Sequence, residues 1–285
     1  MKNSKKIPME LYIHIPFCVK KCEYCDFLSG PADKERKKAY IEALLSEIRG
    51  IPSLERDSRE VTSVFIGGGT PSLIEGSEIE RILKTLRTLF SFAPDAEISI
   101  EANPGTLTAE KLETYRKAGI GRLSLGLQST EDRILRTLGR IHTWQDFLES
   151  YRKARQAGFE NINVDLMSAV PGQTYKDWIS SLRTVAELSP EHISAYSLII
   201  EPGTPFARRK LDLPDEDTEY RMYEDTASVL EEYGYEQYEI SNYARKGYAC
   251  RHNIGYWIGM DYLGIGLGAS SLFAGRRFCN TVSME

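Results

Sequence analysis

The sequence has few cysteines and no long apolar run. Only five of its 285 residues are cysteine, too few for the disulfide framework of a secreted domain. No stretch approaches the roughly 18 uninterrupted apolar residues that a membrane-spanning helix needs. The lysine-containing N-terminus is not followed by the apolar segment of a signal peptide. We therefore expect a cytoplasmic protein without a membrane segment, in a compartment where thiols stay reduced.

The sequence also lacks an excess of one charge. It has 36 Lys and Arg against 41 Asp and Glu, a formal net charge of -5. This balance is too mildly acidic to indicate a nucleic-acid surface, so a small or apolar ligand is the better expectation. The length suffices for one large α/β domain with a smaller appendage.

Three of the five cysteines lie close together. Cys18, Cys22 and Cys25 stand in the phrase YIHIPFCVKKCEYCDF, directly after a strand-like run. Three thiolates complete only three corners of a 4Fe-4S cluster, which leaves one iron open to a ligand that is not protein. The alternative is a structural zinc site with His14 as the fourth ligand. Such sites usually take two separated cysteine pairs, and the other two cysteines are far away, so the spacing favours the cluster.

Apolar, β-rich runs alternate with amphipathic stretches over the first 208 residues. The predicted strands are 11–15, 61–66, 96–100, 121–127, 161–167 and 192–199. A helix is predicted over 33–49, where apolar residues recur at helical spacing behind an acidic start. Strand followed by helix, six times over, indicates a parallel β/α architecture.

The loops after these strands carry the polar and glycine-rich signals of the chain. In parallel β/α barrels such loops hold the working residues. They contain the three cysteines, Gly67-Gly68-Gly69-Thr70-Pro71, Glu101-Ala102-Asn103-Pro104, Gln128, Asp165 with Pro171-Gly172-Gln173-Thr174, and the segment 200–205. The glycine run lets backbone approach a ligand and leaves N–H groups free for a carboxylate or phosphate. The alternative for that run is a tight turn between strand and helix.

The pattern changes beyond about residue 210. A long helix is predicted over 215–233, followed by short strands in YEQYEI, YLGIGLGASSLF and GRRFCN. We predict two parts: a barrel over 1–208 and a small α+β extension over 209–285. The sequence stops at Glu285 without a terminating signal, so we expect that a further C-terminal domain has been cut off.

The motifs YxHIPFCxxxCxxC and GGGTPS together resemble the radical S-adenosylmethionine (SAM) superfamily. That resemblance implies an α/β fold with a partial (β/α)6 barrel, in which SAM chelates the open iron and is cleaved reductively to a 5'-deoxyadenosyl radical. The ordered run of SLGLQS, Arg140, NVDLMSAVPGQT, ISAYSLIIEPGTPF, YEISNYA and HNIGYW resembles the coproporphyrinogen dehydrogenase-like group. The resemblance covers the chain from residue 11 onward.

Within that group the haem-chaperone branch matches better than the dehydrogenase branch. Dehydrogenases have a further cysteine where this chain has Phe27, and a long N-terminal arm where only 11 residues precede Tyr12. The resemblance implies a protein that binds haem and passes it to acceptor proteins, membrane-associated ones included. A true radical enzyme, either an oxygen-independent coproporphyrinogen III dehydrogenase or a two-SAM methyltransferase, is the alternative.

The resemblance also assigns roles to individual residues. Cys18, Cys22 and Cys25 would ligate the cluster, and Tyr24 would offer its backbone to the adenine of SAM. The SAM amino group or carboxylate would meet Gly68 and Gly69, with Tyr12, Thr70 and Glu101 nearby. Positions that contact a second SAM in the dehydrogenase branch are matched by Gln128, Arg140 and Asp165. A structural alternative for the last two is a buried ion pair between Arg140 and Asp165.

His252 opens the phrase HNIGYW, which resembles the HNxxYW motif of the haem-chaperone branch. An imidazole is a normal axial ligand of haem iron, and Tyr256 and Trp257 would pack against a porphyrin face. A hydrogen-bonded core histidine is the alternative. Cys250 is a competing soft ligand, and Cys279 is expected to be buried in the core.

Overall fold

The computed structural model describes residues 6–283, and its centre is a set of parallel strands. These are β1 (Ile7–Ile15), β2 (Arg59–Gly68), β3 (Ser91–Ala102), β4 (Arg122–Gln128), β5 (Ile162–Ser168) and β6 (His192–Ser197). Each strand pairs in parallel with the next along the chain. The predicted α/β class with a six-stranded parallel core is confirmed.

Helices connect the strands. They are α1 (Lys34–Gly50), α2 (Ser53–Arg56), α3 (Gly76–Leu89), α4 (Ala109–Lys117), α5 (Asp132–Thr137), α6 (Trp144–Gln156), α7 (Tyr175–Glu187), α8 (Glu216–Glu231) and α9 (Arg251–Trp257). The helix predicted over 33–49 is α1, and the one predicted over 215–233 is α8. Among residues 6–283, no helix combines the length and apolarity needed to cross a membrane.

Strand β4 shows how the sheet separates core from cavity. Leu123, Leu125 and Leu127 are fully buried in the hydrophobic core. The residues that alternate with these leucines, Arg122, Ser124, Gly126 and Gln128, line a cavity inside the barrel. Successive side chains of a strand point to opposite faces, so this alternation gives the barrel an apolar outer layer and a polar interior. Each buried leucine contributes roughly 1.5–3 kcal/mol to folding.

The helix α7 shows how the outer layer is fixed. The hydroxyl of Thr174 accepts a hydrogen bond from the amide of Asp177, and the Asp177 carboxylate accepts one from the Thr174 amide. This reciprocal capping sets the start of the helix. One turn further on, the buried Trp178 indole donates to the Met222 carbonyl and to the Thr226 hydroxyl, which ties α7 to α8.

The chain beyond α8 adds strands to both edges of the parallel sheet. They are β7 (Glu236–Gln237), β8 (Asn242–Ala244), β9 (Tyr262–Ile265), β10 (Ser270–Phe273) and β11 (Arg276–Cys279). On one edge β8 pairs antiparallel with β6, and on the other β9 pairs parallel with β1. The sheet order is β11-β10-β9-β1-β2-β3-β4-β5-β6-β8-β7. The domain boundary between residues 208 and 209 stays a prediction.

Candidate cofactor site

A cavity of about 470 Å³ opens where the parallel strands end. Most of the residues singled out in the sequence line it: Cys18, Cys22, Tyr24, Cys25, Gly68, Gly69, Glu101, Gln128, Arg140 and Asp165. Thr70 is buried beside the cysteines, and Tyr12 stacks on Phe65 of the cavity wall. The strand ends therefore bring together residues that are up to 147 positions apart, from Cys18 to Asp165.

The loop after β1 holds the three cysteines, and backbone hydrogen bonds fix it at several points. The Cys18 amide donates to the Gly30 carbonyl at 3.0 Å, and the Gly30 amide donates back to Pro16 at 3.0 Å. Further along, the Glu23 amide donates to the Leu138 carbonyl at 3.0 Å. All three cysteines are free thiols and partly buried, so their sulfurs are held near the cavity without being sealed from it.

Each cysteine sulfur lies next to a hydrogen-bond donor. The Thr70 hydroxyl is 3.6 Å from Cys18 Sγ, and an Arg140 guanidinium nitrogen is 3.7 Å from Cys22 Sγ. Cys25 is hydrogen-bonded with the Phe27 backbone, although burial raises the pKa of its thiol above the ordinary value. Hydrogen-bond donors of this kind are found around the sulfurs of iron–sulfur clusters. The set fits a cluster ligated by three thiolates.

His14 does not complete a zinc site with these cysteines. Its Nδ1 is 3.1 Å from the Tyr12 hydroxyl, and its Nε2 is 2.9 Å from the Leu28 carbonyl, so both ring nitrogens are engaged. Among the described residues, no three His, Cys, Asp or Glu side chains converge as ligands of a single metal ion. A four-iron cluster is larger than one ion, and its thiolates stand around it instead of converging on one point.

Neighbouring residues in the fold constrain the backbone of the glycine run at the end of β2 and leave no room for a Cβ at two of its positions. Gly68 has a φ of +113°, and a Cβ there would lie 2.6 Å from the His14 ring. A Cβ on Gly69 would lie 2.7 Å from the Phe17 carbonyl oxygen. The amide of Gly68 donates to Glu101 Oε2 and that of Gly69 donates to Ile15, both at 2.9 Å. The prediction of N–H groups left free for a ligand is wrong at these two positions.

Two partly buried carboxylates, those of Glu101 and Asp165, face the cavity, and loss of solvent affects the pKa of both. It raises the pKa of Glu101 to about 8, and the nearby charge of Asp165 adds to the effect. Burial also raises the pKa of Asp165, although Asp165 accepts a hydrogen bond from Asn163 at 2.7 Å. Carboxylates placed in a cleft in this way are suited to bind a cationic ligand.

Arg140 and Asp165 do not form the ion pair that the sequence left open as a structural alternative. No salt bridge joins these two side chains among the described residues. Arg140 instead donates to the Gly126 carbonyl at 2.5 Å and to Asn103 Oδ1 at 2.6 Å. Its guanidinium therefore points toward the cysteine side of the cavity.

Gln128 stands at the end of β4 in an uncommon backbone conformation. Its φ is +76°, which is rare for a residue with a side chain. The Tyr196 hydroxyl donates to Gln128 Oε1 at 3.0 Å and fixes the direction of the amide group. Backbone strain of this kind is frequent at ligand sites.

Arg122 and Asn103 are among the cavity residues that were not recognised as site residues in the sequence. Arg122 is 2% exposed, and its Nε has no hydrogen-bond partner in the part of the chain that the structure describes. The charges of Glu97 and Asp165 lie close enough to balance it. Asn103 links Thr70 to Arg140. The available signals were the polar positions alternating with leucine in β4 and an asparagine directly after β3.

His252 is a buried and hydrogen-bonded residue in this structure. Its Nδ1 is 2.8 Å from Ser63 Oγ, and its Nε2 is 2.9 Å from the Tyr256 hydroxyl. Burial, with the charge of Arg122, lowers the pKa of His252 to about 3. The ring stacks on Phe65 at a centroid distance of 5.3 Å. This arrangement is the core histidine that the sequence kept as the alternative.

The residues that neighbour His252 in the sequence differ in their exposure to solvent. Tyr256 and Trp257 are 41% and 59% exposed and form an aromatic surface on α9. Cys250 is buried, and burial raises the pKa of its thiol to about 11. Cys279 is exposed on β11, so the expectation that it lies in the core is wrong. Within residues 6–283, no further strand lies on the outer side of the edge strand β11.

Tyr12 and Tyr24 pack against different groups near the cysteine loop. The Tyr12 ring stacks on Phe65, with centroids 6.4 Å apart. Tyr24 packs its side chain against a small apolar group that includes Leu138, Met167 and Leu198. Its side chain thus anchors the loop, and Tyr24 also lines the cavity.

Comparison with known proteins agrees with this geometry. The sequence profile of the radical SAM superfamily matches residues 12–185. Heme chaperone HemW of Escherichia coli (strain K12) is 43% identical over 92% of this chain and 69% of its own length. Heme chaperone HemW of Bacillus subtilis (strain 168) is 40% identical over 94% of this chain and 72% of its own length.

Among solved structures, coproporphyrinogen III oxidase (HemN) from Escherichia coli, described as a radical SAM enzyme, has a TM-score of 0.86 and 29% identity. That match covers 99% of this chain and 69% of the other. Methylornithine synthase (PylB) has a TM-score of 0.52 at 13% identity, over 79% of this chain and 64% of that one, which is a likeness of fold alone. The chain belongs to the radical SAM superfamily and, within it, to the heme chaperone HemW family.

Proposed function

We propose that this protein is a haem chaperone, which binds haem and passes it to acceptor proteins, and that its barrel holds a 4Fe-4S cluster and SAM. The observation that carries the cofactor part is the cavity, which gathers Cys18, Cys22 and Cys25 with Glu101 and Arg140. The haem part rests on the relatives, which are named heme chaperones.

The three cysteines would hold the cluster, and the cavity beside them would hold SAM. When bound together, the two groups supply one-electron chemistry at an iron that lacks a protein ligand. A cavity of about 470 Å³ is typical of one small-molecule ligand, so we propose one SAM molecule. Gln128, Arg140 and Asp165 would then contact that molecule, with no second one required.

Glu101 and the glycine run would recognise the amino acid end of SAM. Because the amides of Gly68 and Gly69 are already used, a ligand would meet carbonyl oxygens there, and these suit an ammonium group. An ammonium beside Glu101 would also favour the ionised carboxylate, offsetting the effect of burial on its pKa. Thr70 and Tyr12 would act by positioning Cys18 and His14, which they contact. The Tyr24 backbone would face the adenine.

Haem would bind at α9, where Tyr256 and Trp257 offer aromatic surface. His252 would reach the iron only after its hydrogen bonds to Ser63 and Tyr256 break. A ligand that selects a minor, opened state binds with lower apparent affinity. Release of α9 would therefore control haem uptake if His252 is the axial ligand.

One anaerobic preparation tests these proposals together. After reconstitution we expect about four irons and four sulfides per chain, a change in the EPR signal on adding SAM, and haem bound in about a one-to-one ratio. A protein without a bound cluster would contradict the cofactor part, and one without haem binding would contradict the chaperone.

The same preparation separates the chaperone from the enzyme. We expect no conversion of coproporphyrinogen III to protoporphyrinogen with SAM and a reductant, because Phe27 replaces the further cysteine of the dehydrogenase branch. Phe27 is 63% exposed beside the cysteines. Product above the level without protein would favour the radical enzyme.

A further inference from the structure

A continuous chain of hydrogen bonds joins two of the cysteine sulfurs through Asn103. The Thr70 hydroxyl contacts Cys18 Sγ at 3.6 Å, and Asn103 Nδ2 donates to the Thr70 oxygen at 2.8 Å. On its other side, Asn103 Oδ1 accepts from Arg140 at 2.6 Å, and Arg140 contacts Cys22 Sγ at 3.7 Å. One amide side chain thus holds both groups that face these sulfurs.

The two ends of this chain fix the orientation of the Asn103 amide. A guanidinium only donates, so the atom facing Arg140 must be the oxygen, and the nitrogen then faces Thr70. The Thr70 oxygen receives that N–H, which leaves its own hydrogen free to point at Cys18. A carboxylate in place of the amide has no hydrogen to donate. The chemistry of position 103 therefore requires a side chain that donates at one end and accepts at the other.

The backbone around Asn103 is held as firmly as its side chain. The Asn103 carbonyl accepts from the Thr106 hydroxyl at 2.6 Å, and its amide donates to Ser72 Oγ at 3.4 Å. Pro104, which follows, is buried and further restricts the chain. Asn103 thus lies on a rigid support at the end of β3.

We infer that Asn103 is a positioning residue that holds Thr70 and Arg140 as donors to the cluster thiolates and thereby sets the reduction potential of the cluster. This inference rests on the proposed cluster. A cluster gains negative charge on reduction, and donors or cations at its sulfurs stabilise the reduced form and raise the potential. The Arg140 guanidinium is held by its neighbours and is partly buried, so its charge is screened less than that of an exposed side chain.

The test is the midpoint potential of reconstituted Asn103→Ala, measured by EPR during titration with dithionite. We expect the reduction equilibrium to become about tenfold less favourable, which for one electron is about 59 mV. Asn242→Ala is the matched control, because Asn242 lines the same cavity but bonds Ser194 and no residue next to a cysteine. An unchanged potential in Asn103→Ala with a full complement of iron would overturn the inference.

Two further variants decide the case if Asn103→Ala does not fold or load. Asn103→Asp keeps the size but draws the Thr70 hydroxyl away from Cys18 and adds negative charge, so its potential should fall. Thr70→Val removes one donor and should lower the potential less. If both variants load a cluster and keep the wild-type potential, the inferred role of Asn103 is refuted, but the proposed cofactor site is not. If the wild-type protein takes up no cluster, both the role of Asn103 and the proposed cofactor site are refuted.

Discussion

At the scale of single residues, the cysteine triplet and its donors carry the main chemical signal. Cys18, Cys22 and Cys25 come from one loop, but the groups that face their sulfurs come from elsewhere in the chain. Thr70 follows β2, and Arg140 follows α5. The proposed cluster ligands are thus close together in sequence, whereas the groups around their sulfurs are brought together by the barrel.

Replacing any one of the three cysteines should abolish the cluster. In Cys18→Ala, Cys22→Ala or Cys25→Ala, two of the four irons would lack a protein ligand. Iron and sulfide should fall well below about four per chain after anaerobic reconstitution. Cys279→Ala is the control, because Cys279 is exposed and outside the cavity, and it should load like wild type. A full cluster in any of the three single variants would contradict the assignment.

Glu101 should make the protein without cofactors less stable as the pH rises. Burial raises the pKa of Glu101 from 4.5 to about 8, so the folded state holds its proton more tightly than the unfolded state. The stability that this proton contributes is full below pH 4.5 and is lost as the pH rises toward 8. Glu10, whose pKa is also raised to about 8, should add to this slope.

Glu101→Gln separates the contribution of Glu101 from that of Glu10. Glutamine keeps an acceptor for the Gly68 amide but has no charge. Thermal unfolding should show the variant more stable than wild type at pH 8, by on the order of a few kcal/mol, and similar to it near pH 5. The exposed Glu110→Gln should change little at either pH. Equal pH dependence in Glu101→Gln and wild type would contradict the role assigned to burial.

At the scale of elements, the end of β2 shows how strand packing dictates local sequence. Gly68 pairs with Ile15 of β1, and its positive φ turns the chain around the His14 ring. The glycine is needed for this turn whether or not a ligand binds. A substitution at Gly68 therefore acts on the fold first and on the ligand site second.

Gly68→Ala should be more destabilising than a substitution at another glycine of positive φ that has open space around it. Gly105 is the matched control, since its φ is +81° and a Cβ there meets nothing within 4 Å. Gly105→Ala should cost roughly 1–2 kcal/mol of unfolding free energy from the left-handed backbone alone. Gly68→Ala should cost clearly more, as measured by denaturant unfolding, because its Cβ also collides with His14. Equal losses in both variants would show that the collision is relieved at no cost.

At the scale of the whole molecule, the chain after α8 adds strands to both edges of the sheet and places α9 against β2. The His252 ring of α9 stacks on Phe65 of β2 and bonds Ser63 of the same strand. The proposed haem segment and the cofactor barrel are thereby in direct contact. Opening one of them would disturb the other.

Two variants with opposite effects test whether His252 must be released to bind haem. His252→Ala should shift the Soret band and weaken haem binding, while Cys250→Ala should leave both nearly unchanged. Ser63→Ala removes one bond that holds His252 in place, worth about 1 kcal/mol, and should strengthen haem binding up to about fivefold. Haem titration by absorbance measures all three. Identical spectra and affinities in His252→Ala and wild type would remove His252 from the haem site.

The strand pattern and the cysteine spacing could be predicted from the sequence because both depend on neighbours in the chain. Strands β1 to β6 are apolar, β-rich runs, and the three thiols lie on one short loop. The sequence also contained the signal for the polar interior, because Leu123, Leu125 and Leu127 alternate with polar residues. Local patterning therefore determined the fold class, the proposed cluster ligands and the end of the sheet at which the cavity lies.

Only the tertiary structure decided which distant groups meet. The pairing of β9 with β1 joins residues about 250 positions apart, such as Leu263 and Leu11, and no local pattern specifies that partner. The same holds for the contact of His252 with Ser63 and for the path from Cys18 through Asn103 to Cys22. Burial, side-chain direction and the pKa of each buried group arise from packing between segments, so they are properties of the fold and not of the motifs that it brings together.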